Sequence, residues 1–254
     1  MTTAIHDQLL VSSATKPPPP LADHPLGVVD QLLRSSGTFL DQIEQTDDLT
    51  RIAKTLIVTI VLSCAAFGAA IGASRMGLQP LYAALKLPLV VLLTAGLTVP
   101  AFSALTKASV GVSSLRRDLL LVLSSLALTS MVLAALAPVV LLGVMVDVRY
   151  HALILLVVGC CGVGGLAGLV FFLRGVSRRS TKVPKLATLI ALSVFALVGS
   201  QMSWTLRPFV SRPRAEVELV RSIEGSFLDA VATSMRSARG IYTRDSAPLP
   251  EDSQ

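Results

Sequence analysis

Cys64, Cys160, Cys161 and His151 are the thiol and imidazole groups in or beside the apolar middle of this chain. Such groups bind metals, exchange disulfides and act as nucleophiles or bases. Their spacing assembles none of these chemistries. Cys160 and Cys161 are adjacent, so they form no C-x-x-C, and three cysteines make no disulfide framework. The pair reads as small, polarizable packing residues. His6 and His24 lie in the polar N-terminal stretch and His151 lies in a loop, which leaves neither an H-E-x-x-H zinc site nor a Ser–His pair inside an apolar segment. No G-x-S-x-G and no Walker sequence occurs. A lipid-phosphate transferase would hold its metal on clustered aspartates, whereas the apolar middle offers Asp118 and Asp147, each at the end of an apolar run. The expectation is a protein that is not an enzyme and that holds no cofactor.

Hydroxyls and amides are the remaining polar groups at depth. Ser124, Ser125, Thr129 and Ser130 share one apolar run, and Ser200, Gln201 and Ser203 share another. They could line a solute path, but the favoured reading is hydrogen bonding from helix to helix. An ion-coupled carrier places carboxylates, His or Lys inside its bundle, and none is evident within these runs. Trp204, Arg207 and Phe209 make the sharpest local cluster. They read either as a contact surface for a partner or lipid, or as the interfacial anchor closing the last span, and the anchor is favoured. Tyr82 and Lys86 suit the same headgroup level, Lys by extending its amine to water.

The elements that would position these groups are five apolar runs, at residues 56–73, 87–105, 119–140, 152–173 and 186–204, with no charge inside those limits. At about 1.5 Å per residue, each is long enough for a helix to cross a bilayer core. A soluble helix would be apolar on one face; these are apolar all round. The fold class is therefore an all-α integral membrane protein, a bundle of five transmembrane helices with flanking amphipathic helices. Gly68 and Gly72 form one G-x-x-x-G and Gly164 and Gly168 another. Small residues four apart let a second helix approach closely, and packing within the chain is favoured over dimerisation. Pro88 suits the first turn of the second span, after a short interfacial helix beginning at Pro80. Pro100 and Pro138 lie deeper and should kink their helices.

Four regions follow. Residues 1–25 are read as a disordered Pro-rich tail, since Pro17 to Pro20 cannot enter a helix. Residues 26–54 are amphipathic: Leu26, Val29, Leu33, Leu40 and Ile43 recur at helical spacing, Val28, Leu32 and Phe39 broaden the stripe, and a break is expected at Ser35, Ser36 and Gly37. One or two helices would lie there, on the bilayer surface or against the bundle. Asp47 and Asp48 suit the start of the next helix. Residues 55–206 are the five-span membrane domain. Residues 207–254 form an extramembrane tail with a short helix from Ser226. No n-region or cleavage site precedes the first apolar run, so that run is expected to be its own insertion signal.

Hydrophobic residues are 52% of the chain and charged residues 15%, with formal charge +6. Much of the basic excess flanks the spans, which points to lipid headgroups and membrane topology and not to nucleic acid. With the N-terminus inside, the inner loops carry Arg51, Lys54, Lys107, Arg116, Arg117 and the basic 174–185 stretch, while the outer loops carry Arg75, Lys86 and Arg149. Five spans then put the C-terminus outside. Arg207, Arg212, Arg214 and Arg221 pull the other way and are outweighed by the loops.

The stretch Ala84-Leu85-Lys86-Leu87-Pro88-Leu89, with Thr94 and Pro100 after it, and the stretch Trp204-Thr205-Leu206-Arg207-Pro208-Phe209-Val210 resemble segments of an uncharacterised group of bacterial multi-span membrane proteins. An amphipathic N-terminal segment followed by five spans also resembles the Yip-type membrane-protein family, over residues 28–210. The resemblance implies a membrane adaptor and not an enzyme. The combined expectation is a multi-pass protein of the bacterial inner membrane. It would be a scaffold or accessory subunit whose partners are the lipid bilayer and another membrane protein or further copies of itself. A small-solute channel or transporter is the alternative.

Overall fold

The structure, a computed structural model, describes residues 24–46, 48–73, 77–110, 114–146 and 148–179. Every regular element among them is an α-helix. We number these α1 (Pro25–Arg34), α2 (Ser36–Gln45), α3 (Leu49–Gly72), α4 (Gln79–Val110), α5 (Leu115–Met145) and α6 (Tyr150–Arg179). The fifth apolar run and the C-terminal tail lie outside the described residues.

Local chemistry sets the helix limits. Pro25 opens α1, where its missing N–H costs nothing, and His24 Nδ1 accepts from the Leu26 N–H at 3.3 Å. Ser35 ends α1 with φ −131° and ψ 50°, and its own N–H donates to the Gln31 carbonyl at 2.9 Å. The amphipathic segment is thus two helices. Asp48 caps α3, its Oδ1 accepting from the Arg51 N–H at 3.3 Å. Gly77 has φ +112°, a conformation that favours glycine, and lies between α3 and α4. α5 ends at Met145 and α6 begins at Tyr150, with the Val148 N–H donating to the Gly143 carbonyl at 3.1 Å.

Two expectations are corrected. His151 is not in a loop but in the first turn of α6. No separate interfacial helix follows Pro80: α4 runs unbroken from Gln79 to Val110 with both Pro88 and Pro100 inside it, so Pro88 is far from a first turn. A break there would expose unpaired backbone groups where water is scarce, which costs more than the single hydrogen bond that proline removes.

The helices run up and down. α3 packs on α4 and α5, α5 also packs on α4 and α6, and α1 and α2 sit across one end against α3 and α5. Two apolar clusters follow from that arrangement. At the end covered by α1 and α2, Val28, Leu32, Phe39 and Ile43 pack with Ile52, Leu56 and Ile60 of α3, Leu120 to Leu123 of α5, and Phe171 and Val176 of α6. Phe102 of α4 meets Phe172 of α6 edge to face, ring centres 5.0 Å apart. Towards the other end, Phe67 and Ile71 pack with Leu133, Ala137, Val140 and Leu153.

Candidate functional site

The most elaborated part of the molecule is the end capped by α1 and α2. Val28, Leu32, Phe39 and Ile43 are each at most 1% exposed, whereas Leu26 and Leu33 of the expected stripe are 72% and 54% exposed, so the packed face of α1 is turned from the one its spacing marked. The hairpin therefore lies against the bundle, which resolves the two placements its amphipathic pattern allowed. Polar groups clamp it from α6. Arg178 Nη1 donates to Asp41 Oδ1 and to the Gly37 carbonyl, both at 2.8 Å. Leu40 of α2 and Leu121 of α5 converge on Gly175 of α6, which has no side chain to keep them away. One turn before Leu121, Asp118 is only 2% exposed in the first turn of α5, where the helix N-terminus favours an anion.

The α5 hydroxyls correct the helix-to-helix reading in part: Ser130 also bonds across to the Cys64 thiol of α3, but all four first engage their own backbone. Ser124 donates to Leu120 O at 2.7 Å, Ser125 to Val122 O at 2.8 Å, Thr129 to Ser125 O at 3.0 Å and Ser130 to Ala127 O at 2.9 Å. Each bonds back to its own helix, because a short hydroxyl reaches a carbonyl three or four residues earlier without needing a partner helix. Thr55, Thr59 and Thr94 do the same. Among the described residues, no three His, Cys, Asp or Glu groups gather as metal ligands.

The four packing glycines mark close backbone approaches. A Cβ on Gly68 would come within 2.6 Å of the Ala83 carbonyl oxygen, and one on Gly72 within 2.6 Å of Pro80 Cα, so the N-terminal part of α4 crosses directly over the end of α3. A Cβ on Gly164 would meet Leu133 at 3.1 Å, and one on Gly168 would meet the Ser125 carbonyl oxygen at 2.7 Å and the Thr129 hydroxyl. Lys86 lies half-buried on α4. Trp204, Arg207 and Phe209 fall outside the described residues.

The outward surface defines the class. Leu81, Leu85, Leu89, Leu93 and Leu97 of α4 recur every four residues and each is at least 56% exposed. On α3, Leu62 is 66% exposed, and Leu142 and Met145 of α5 are similarly bare. Water would penalise such an array, whereas lipid tails accept it. Stretches of α3, α4, α5 and α6 are long and apolar enough to cross a membrane. This is an all-helical membrane protein with at least four span-capable helices. No family model, curated protein or solved structure matches the chain.

Proposed function

We propose that this protein is a non-enzymatic scaffold or accessory subunit of a membrane-protein complex. It would sit in the bacterial inner membrane with five spans, its N-terminus cytoplasmic and its C-terminal tail outside. The observation that carries this reading is the docked α1–α2 hairpin. It joins the apolar core through Phe39 and Ile43 and is clamped by Arg178, so the inner end of the bundle presents a fixed protein surface. Fixed surfaces at a membrane suit docking, because little ordering entropy is lost when a partner binds. The charges agree: Arg51, Lys54, Arg116, Arg117 and Arg174 all belong to the end that α1 and α2 cover, which the positive-inside rule makes cytoplasmic. The resemblance of residues 28–210 to Yip-type adaptors points the same way. Trp204, Arg207 and Phe209 on the outer side, and Lys86, are the proposed contacts for partner or lipid.

A small-solute channel is the second reading. Thr98 favours it, since its Oγ1 is buried on α4 and has no hydrogen-bond partner among the described residues. The α5 serines favour the scaffold, because their hydroxyls are already engaged by their own backbone.

Gentle extraction of the tagged full-length protein, followed by native mass spectrometry, tests the proposal. A stable hetero-complex supports the accessory role. A homo-oligomer that passes small solutes in liposomes overturns it in favour of the channel.

A further inference from the structure

The end of the bundle covered by α1 and α2 carries two kinds of cation. Arg34, Arg51 and Arg178 are paired with Asp30, Asp48 and Asp41. Lys54 of α3, Lys107 of α4 and Arg174 of α6 are exposed, and among the described residues no acid pairs with any of them.

Helix packing brings these three to one depth. Ser130 of α5 bonds to the Cys64 thiol of α3. Lys54 precedes Cys64 by as many residues as Leu120 precedes Ser130, so Lys54 lies level with Leu120. α6 runs the other way. Gly168 meets Ser125 and Gly175 meets Leu121, which sets Arg174 beside the turn of α5 that holds Leu121. Phe102 of α4 meets Phe172 of α6. Lys107 and Arg174 follow those rings towards the same end and differ in height by about 4.5 Å. All three cations therefore lie within about one helical turn, about 5.4 Å, of a common plane.

Below each cation runs an exposed apolar stripe on the same side of its helix. Lys54 continues Val58 and Leu62, Lys107 continues Leu89 and Leu93, and Arg174 continues Val163 and Val170. A cation ending such a stripe sits where hydrocarbon meets headgroup, its stem among lipid tails and its charge in water. α4 supports that depth independently. Lys86 and Lys107 stand about 32 Å apart along this unbroken helix, close to the hydrocarbon thickness of about 30 Å.

We propose that Lys54, Lys107 and Arg174 form a collar that binds the phosphate headgroups of anionic phospholipids in the leaflet at the α1–α2 end. Only the membrane class of the protein is needed for this, not the adaptor or five-span reading. The three helices pack around α5, so their cations face outward on separate helices and do not converge on one small anion. A zwitterionic headgroup offsets its phosphate with an ammonium. An anionic headgroup does not, and its phosphate oxygens accept charge-assisted hydrogen bonds from all three side chains.

Spin-labelled lipid association with the full-length protein, reconstituted in phosphatidylcholine vesicles, tests the collar. Each site should favour labelled phosphatidylglycerol over labelled phosphatidylcholine by about fivefold, and the excess should shrink as salt rises. Lys54→Gln, Lys107→Gln and Arg174→Gln should each remove about a third of the excess, since separate sites add, and the triple variant should abolish it. Lys54→Arg with Lys107→Arg should keep it. So should Arg34→Gln, which removes a cation already paired with Asp30. If the triple variant does not reconstitute, the single exchanges decide. No preference for phosphatidylglycerol, or a preference that the Gln exchanges leave intact, overturns the collar. Displacement by inorganic phosphate beyond that by chloride at equal ionic strength also overturns it, in favour of a small-anion site.

Discussion

Arg178 at the end of α6 meets Asp41 of α2 at 2.8 Å, across 137 residues of sequence. The pair joins the N-terminal hairpin to the last described helix. Both side chains are about half exposed, 47% and 52%, so water screens the attraction and the expected contribution is below about 1 kcal/mol. Arg178→Ala and Asp41→Ala should each cost that little, and the double variant should cost less than their sum. Unfolding in mild detergent at low and high salt checks this; a coupling that does not weaken with salt contradicts the screened-pair account.

Apolar burial holds the hairpin far more firmly than this pair does. Phe39 is 0% exposed, and Phe39→Ala should cost about 3–5 kcal/mol through lost contacts and the cavity left behind. Leu33, 54% exposed on α1, should tolerate Leu33→Ser with little loss. Limited proteolysis is the readout. Cleavage within residues 25–45 should accelerate in the first variant and not in the second.

Gly68 and Gly96 should behave in opposite ways. Gly68→Val forces a side chain into the Ala83 carbonyl, which is backbone and cannot swing aside, so α3 and α4 must separate. The expected loss is about 1–3 kcal/mol or more. Gly96 is exposed on α4 with nothing described within 4 Å of a Cβ there. Gly96→Ala should be neutral or gain about 0.5–1 kcal/mol from restricting the unfolded chain. Thermal denaturation in one detergent compares them directly.

The α5 hydroxyls make a milder case. Ser124 and Ser125 bond to carbonyls of their own helix, so alanine at either position removes one local bond and leaves no partner group stranded on another helix. A loss below about 1 kcal/mol is expected for each. A much larger loss, seen in the same denaturation assay, would mean that these hydroxyls also tie α5 to a neighbour.

The class of this protein and the break near Ser35 in its amphipathic segment were legible in the residues, because each is a local matter. Uniform apolarity over a span, a 3.6-residue stripe and a short polar interruption act within a few turns of chain. What tertiary structure alone decided concerns faces and ends. A helix that is apolar all round carries no pattern saying which side meets protein and which meets lipid; the G-x-x-x-G spacing marked Gly164 and Gly168 for packing, but only the structure shows that it is Leu133, Ser125 and Thr129 of α5 that they meet. The continuity of α4 through Pro88 was likewise settled by the scarcity of water around it and not by local propensity. The meeting of Arg178 with Asp41 depends on where α2 comes to rest, because only that packing brings residues so distant along the chain within bonding range.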